Sequence, residues 1–228
     1  MTKIPFVLSA LFILTFLQGG FSMASGISLT YHEFNDQNTA GKVIGETFIT
    51  IGERSSDQTV VNRQKQFKHC MIKDEFVIDR EYSLDKWRRV CADEDTDYIA
   101  ERNGNILTVK GRIKGEVVDK ELELGNKALH IYPKYSLSKF ALSGMPSMKL
   151  WSMRRDEMTL LPMQAVRKGV ETITVNSKDV EVIKVYYSIT GKLREKYYNH
   201  YYYFRKSDGL FLKKVENNGR VEVLVSEG

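Results

Sequence analysis

The chain has 228 residues, 42% of them apolar and 28% charged, with a formal net charge of +5 at pH 7. That balance supplies a hydrophobic core and excludes a disordered tether. The basic residues are spread along the chain, and pairs such as Arg88-Arg89 and Arg154-Arg155 stand among Asp85, Asp93, Asp156 and Glu157, which excludes the concentrated positive stripe that a nucleic-acid binder needs.

Lys3 precedes an uncharged apolar run over residues 4–17, and Ser22-Met23-Ala24 is a small-x-small triplet. Together they read as a secretory signal peptide over 1–24, cleaved after Ala24. Left uncut, residues 4–23 are just long enough to anchor in a bilayer. No cysteine sits at the end of the apolar run to accept an acyl chain. The expectation is an exported, soluble, periplasmic protein that is neither a lipoprotein nor an integral membrane protein. Removing 24 residues leaves 204 with 33 basic and 29 acidic side chains, or +4. A single domain over 25–228 accommodates that length.

Cys70 and Cys91 are the only cysteines, and an oxidising compartment favours one disulfide between them. Strands over 66–72, 76–82 and 86–91, arranged as a meander, place the two cysteines on its outer strands. Alternate strands lie about 9.5 Å apart, beyond the ~7 Å Cα limit for a bridge, so two free thiols remain the alternative unless the loop over 83–86 folds back. Further on, Val118, Leu122 and Leu124 share one strand face.

A short helix is expected over 135–142, with Ser136 as its cap, Gly144 as its stop and Leu137, Phe140 and Ala141 on its buried face. Strands follow over 160–167, 171–175, 180–189, 198–205, 210–215 and 221–225, where apolar and polar residues alternate. Asn103-Gly104, Lys168-Gly169, Thr190-Gly191, Asp208-Gly209 and Asn218-Gly219 read as turns. Ten or so antiparallel strands must curl, close or split. The predicted fold is all-β: a strongly curved antiparallel meander or partial barrel with one short helix and a concave apolar surface.

The richest compositional signal is aromatic: Tyr186, Tyr187, Tyr197, Tyr198, Tyr201, Tyr202, Tyr203 and Phe204. Tyrosine combines apolar area with a polar tip, which suits an amphiphile pocket as well as a packed central strand. Tyr187, Tyr201 and Tyr203 are the candidate ligand contacts. Asp93, Asp95 and Asp97 have the spacing of a calcium loop, but Tyr98 and Gly104 occupy the positions where such a loop needs glycine and glutamate. His32, His69, His130 and His200 have no metal-ligand spacing. Ser138-Lys139 and His69-Cys70 are adjacent and diverge in strands. Glu121 and Glu123 share a strand face, as exposed acids do. No catalytic residue, metal or cofactor is expected.

His130-Ile131-Tyr132-Pro133, Leu160-Leu161-Pro162, Lys168-Gly169-Val170-Glu171-Thr172-Ile173, the strand over 180–187 and Tyr201-Tyr202-Tyr203-Phe204 leading to Ser207-Asp208-Gly209-Leu210 carry a resemblance. This part, less than half of the chain, resembles an uncharacterised family of exported bacterial proteins, a domain of unknown function. That family is similar in fold to the half-barrel lipoprotein carriers of the LolA and LolB type. The resemblance implies a curved sheet, a Gram-negative periplasm and no catalytic group. The functional expectation is a non-enzymatic carrier of a lipid or other hydrophobic envelope ligand. The alternatives are a module that docks on an envelope protein through sheet edges and basic pairs, and, least favoured, a hydrolase.

Overall fold

The computed structural model describes residues 26–36, 41–67, 70–155, 157–191 and 198–228. The signal segment over 1–24, His69, Asp156 and Tyr197 lie outside them. Eight strands come first: β1 (Ile27–Phe34), β2 (Val43–Ser55), β3 (Gln58–Phe67), β4 (Cys70–Asp79), β5 (Leu84–Cys91), β6 (Thr96–Asn103), β7 (Ile106–Ile113) and β8 (Glu116–Glu123). Two short helices follow, α1 (Pro133–Ser136) and α2 (Ser138–Leu142). Six strands complete the fold: β9 (Ser147–Arg154), β10 (Thr159–Val175), β11 (Lys178–Ile189), β12 (Asn199–Arg205), β13 (Phe211–Glu216) and β14 (Val221–Glu227).

All fourteen form one antiparallel sheet in the order β8-β7-β6-β5-β4-β3-β2-β1-β14-β13-β12-β11-β10-β9. Two meanders therefore meet where β1 pairs with β14, and β8 and β9 are the two edges. Bulges in the β1–β2, β1–β14, β4–β5, β10–β11 and β12–β13 ladders bend the strands, the local device by which a sheet this wide curls. The sheet is not closed into a barrel. Lys120 Nζ on β8 donates to the Glu157 carbonyl beyond β9 at 2.8 Å. The β9 edge is covered by residues 128–130, since Trp151 N donates to Ala128 O and His130 N donates to Trp151 O.

The concave face is filled from alternate positions of each strand, as the two-residue period requires. Val61, Phe76, Trp87, Ala100 and Val109 form one row across β3 to β7, and all are buried. Tyr132 stacks on Phe76 at 5.0 Å, Phe76 on Trp87 at 5.8 Å, and Trp87 meets Tyr98 edge-on at 4.9 Å. The helices cover part of this face through Leu137, Phe140 and Ala141. Their start lies two residues earlier than expected, because Pro133 supplies the fixed φ and missing N–H of a first turn. Ser136 does not cap; its hydroxyl donates to the Tyr132 carbonyl at 2.8 Å. Ser138 Oγ donates to Gly209 O at 2.7 Å, tying α2 to the turn between β12 and β13.

Two expectations from the sequence are corrected. Lys168-Gly169 is not a turn: it is a bulge inside β10, which runs unbroken over both expected strands. The reversal comes at Asn176-Ser177, both in the left-handed region at φ 51° and 60°, as a tight two-residue hairpin requires. The three-strand meander is also shifted. β4 runs straight through residues 73–75, so Cys70 and Cys91 stand on adjacent strands, with Cα atoms 6.9 Å apart, and are bonded.

The bond closes a loop of sequence separation 21, for which chain entropy gives about 3 kcal/mol. Replacing both cysteines by serine is expected to lower the unfolding free energy by about that amount in urea titrations. An unchanged midpoint would contradict it.

Candidate functional site

The interior holds two distinct environments. The first is an apolar cavity of about 230 Å³ between the helices and the β1–β2 and β13–β14 region. Ile27, Leu29, Ile49, Ile51, Leu210 and Phe211 form its walls, joined by the rings of Tyr82, Tyr132 and Tyr135. Its charged lining is already paired. Arg205 holds Asp208 at 2.6 Å and Glu227 at 2.9 Å at the rim, and Lys134 at the inner end pairs with Glu222. The Lys134 ammonium also faces the rings of Tyr31, Phe211 and Tyr132 at 5.4, 5.6 and 5.8 Å.

The second environment is charged. Ile49, Arg63, Asp74, Arg89 and Tyr98 form a single register row across β2 to β6, one step from the apolar row of Trp87. Asp74 accepts from Arg63 Nε at 3.0 Å and from Trp87 Nε1 at 2.8 Å. Arg89 Nε lies 3.9 Å from the same carboxylate. Burial alone would raise the Asp74 carboxyl, yet Arg63, Arg89 and Arg155 hold it below the ordinary range. Gly111 follows Tyr98 in the row with φ +138°; a Cβ there would stand 2.6 Å from the Tyr98 Cα. Glycine is therefore what lets β7 pass close behind Tyr98.

A neighbouring charged row crosses the junction of the two meanders. Glu33 faces Glu222, which faces Lys214. Like charges opposite one another repel, and cations separate them. Lys65 and Arg220 hold Glu33 at 2.8 and 3.3 Å, while Lys134 and Lys214 hold Glu222. Burial would raise the Glu222 carboxyl, but Lys134, Lys214 and Lys65 pull it down to about 2.

The candidate tyrosines are not brought together. Tyr187 is fully buried on the concave face, edge-on to Tyr202 at 5.7 Å. Tyr201 and Tyr203 lie on the opposite face, under the Lys184 ammonium at 5.0 and 5.3 Å. None of the three lines the cavity; the alternation of β12 separates them. The basic pairs also split. Arg88 pairs with the exposed Asp97 at 3.2 Å and Arg154 with Glu157 at 3.0 Å. Arg89 and Arg155 turn inward, both near the Trp87 ring. Ser138 and Lys139 serve the helix, Lys139 bonding Glu81 at 2.7 Å. Asp95 ends a turn of 3-10 helix at Ala92–Glu94.

No protein-family model matches the chain, and no curated protein does. Among solved structures, the chain is similar to a beta-barrel-like protein of domain of unknown function DUF1849 from Brucella abortus, with a TM-score of 0.56 at 11% identity. That likeness covers 89% of this chain and 96% of the other. The fold is that of a barrel-like domain of unknown function. The hypothetical lipoprotein YmcC from Escherichia coli K12 is a second neighbour, with a TM-score of 0.37 at 9% identity, covering 89% of this chain and 85% of that one. No helix among the described residues is long and apolar enough to cross a membrane.

Acid sensitivity follows from the buried groups. Burial lowers His130 to about 4, only partly opposed by the hydrogen bond its ring donates to the Ser136 backbone. Burial and then Lys214 lower His200 to about 4 as well. An imidazole depressed in the folded state is protonated first in the unfolded chain, so stability is complete above the unfolded value near 6.5 and falls as pH drops toward 4. His130 alone accounts for about 3 kcal/mol of that loss. Glu222 adds a further loss between its ordinary 4.5 and about 2. Urea unfolding is expected to show several kcal/mol less stability at about pH 4.5 than at about pH 7; a flat profile would contradict this.

Proposed function

We propose that the protein is a non-enzymatic binding protein of the bacterial periplasm that takes the apolar part of a small amphiphile into the cavity beneath α1 and α2. The observation that carries this reading is the lining: aliphatic and aromatic side chains form the walls, and the charges at the two ends are already paired. An apolar group entering such a site loses water without stranding a charge. The signal-like N-terminus and the barrel-like fold support placement in the envelope.

Size narrows the ligand. A cavity of about 230 Å³ falls below the ~300–1,000 Å³ that encloses a drug-sized molecule. It suits the end of one alkyl chain or one ring, and a multi-acyl lipid is too large. Docking through an open strand is less favoured, because the free edge β8 carries Glu116, Asp119, Glu121 and Glu123, charges that discourage strand addition.

The test is titration with dodecanoate, followed by native mass spectrometry, on the parent and on Ile51→Trp. Ile51 is half-buried at the cavity, so the larger ring fills space without entering the central core. Stoichiometric binding to the parent, weakened about tenfold or more in Ile51→Trp at nearly unchanged melting temperature, is expected. No binding to the parent, or equal binding to both, would contradict the reading.

A further inference from the structure

Three guanidinium groups inside the sheet share one carboxylate. Arg63, Asp74 and Arg89 stand side by side on β3, β4 and β5. Arg155 reaches the same place from the turn between β9 and β10, its Cζ 5.8 Å from the Trp87 ring that Arg89 approaches at 5.9 Å. Both Asp74 oxygens are engaged, one by Arg63 and the other by Trp87 Nε1. Among the described residues, Arg155 has no hydrogen bond and no ion pair. The other acids of the interior do not redress this balance, since Glu33 and Glu222 are each held by two cations.

Beside these cations stand hydroxyl donors with no acceptor. Tyr98 is 2% exposed and Tyr132 3%, and neither hydroxyl finds an acceptor among the described residues; the group beside the Tyr98 hydroxyl is the Arg89 guanidinium, which can only donate. Tyr98 is the register partner of Arg89, and the Arg63 guanidinium lies 5.5 Å from the centre of the Tyr132 ring. Buried positive charge is costly unless paired, and buried hydroxyls are normally bonded. Several guanidiniums with phenolic donors are a donor set that an oxyanion satisfies in charge-assisted hydrogen bonds.

We propose that Arg63, Arg89 and Arg155, with the hydroxyls of Tyr98 and Tyr132, bind a phosphate-class oxyanion, either a small free anion or the head of a phosphorylated amphiphile. Among the described residues, three guanidiniums against one carboxylate leave a net charge of +2, which matches a phosphate monoester better than a single carboxylate. Arg155, on the turn between β9 and β10, is half-buried and retains contact with solvent. Burial, then Arg63 and Arg89, press the Arg155 guanidinium below its ordinary pKa, as expected of a cation short of counter-charge. The site meets the apolar cavity at Tyr132, whose ring lines that cavity, but Arg89, Arg155 and Tyr98 lie outside it, and a titration with inorganic phosphate involves no apolar ligand, so the two readings fail independently.

The test is isothermal titration of the whole chain at fixed ionic strength with inorganic phosphate and, separately, with dihexanoyl phosphatidate. The parent is compared with Arg155→Gln and with Arg154→Gln, whose side chain is exposed. One-to-one binding of at least one probe is expected, weakened about tenfold or more in Arg155→Gln and unchanged in Arg154→Gln. Without anion, Arg155→Gln is expected to melt at the same or a higher temperature, because it removes buried positive charge. Tighter binding of phosphatidate than of phosphate identifies a lipid head as the source; equal binding identifies a free anion. The proposal is overturned if neither probe binds at ~10 mM, if Arg155→Gln binds as well as the parent, or if Arg155→Gln melts well below it.

Discussion

Asp74 is the point on which the interior turns. Its side chain is fully buried, and among the described residues it is the one carboxylate in contact with Arg63 and Arg89. A guanidinium without a partner inside a protein is costly by several kcal/mol. The bond from Trp87 Nε1 to the same carboxylate fixes that ring between Phe76 and Tyr98. One acid thus sets the charge balance of a row of strands and the orientation of the aromatic stack beside it. Both the apolar core of β3 to β7 and the cationic patch at the end of β9 depend on it.

The placement of charge explains why the concave space is divided. Pure apolar filling would leave a continuous greasy trough. Here two charged rows cross it, one through Arg63, Asp74 and Arg89 and the other through Glu33, Glu222 and Lys214. The apolar cavity is what remains between the second row and the helices, with Lys134 of α1 as the shared element. A lysine from the crossover between the two meanders therefore anchors the cover to the sheet and closes the inner end of the cavity.

The fold class was legible in the alternation of residues, because a two-residue period survives whatever the tertiary packing. Tight turns with glycine were legible too, as at Asn103-Gly104. The bulge at Lys168-Gly169 was not, since a bulge and a turn use the same residue at positive φ. The tyrosine tract drew attention for its area, yet β12 turns Tyr201 and Tyr203 to the face opposite the concave core, Tyr203 buried there beside Lys184, and spends Tyr202 and Phe204 on the core. The interior charges were hidden for a related reason: a charged residue in a strand looks exposed. The signal that betrays them is phase. Arg63 shares the parity of Val61, Asp74 that of Phe76, and Arg89 that of Trp87. The cavity, assembled from six separated segments, has no local signature.

The measurement that bears most directly on Asp74 is urea unfolding of Asp74→Asn at neutral pH, alone and combined with Arg63→Met. If the carboxylate sustains the interior, the single substitution costs about 3–5 kcal/mol, and the double variant recovers part of it by removing a stranded charge. A single variant within ~0.5 kcal/mol of the parent would contradict the account, because a neutral amide would then hold the row as well as the acid does.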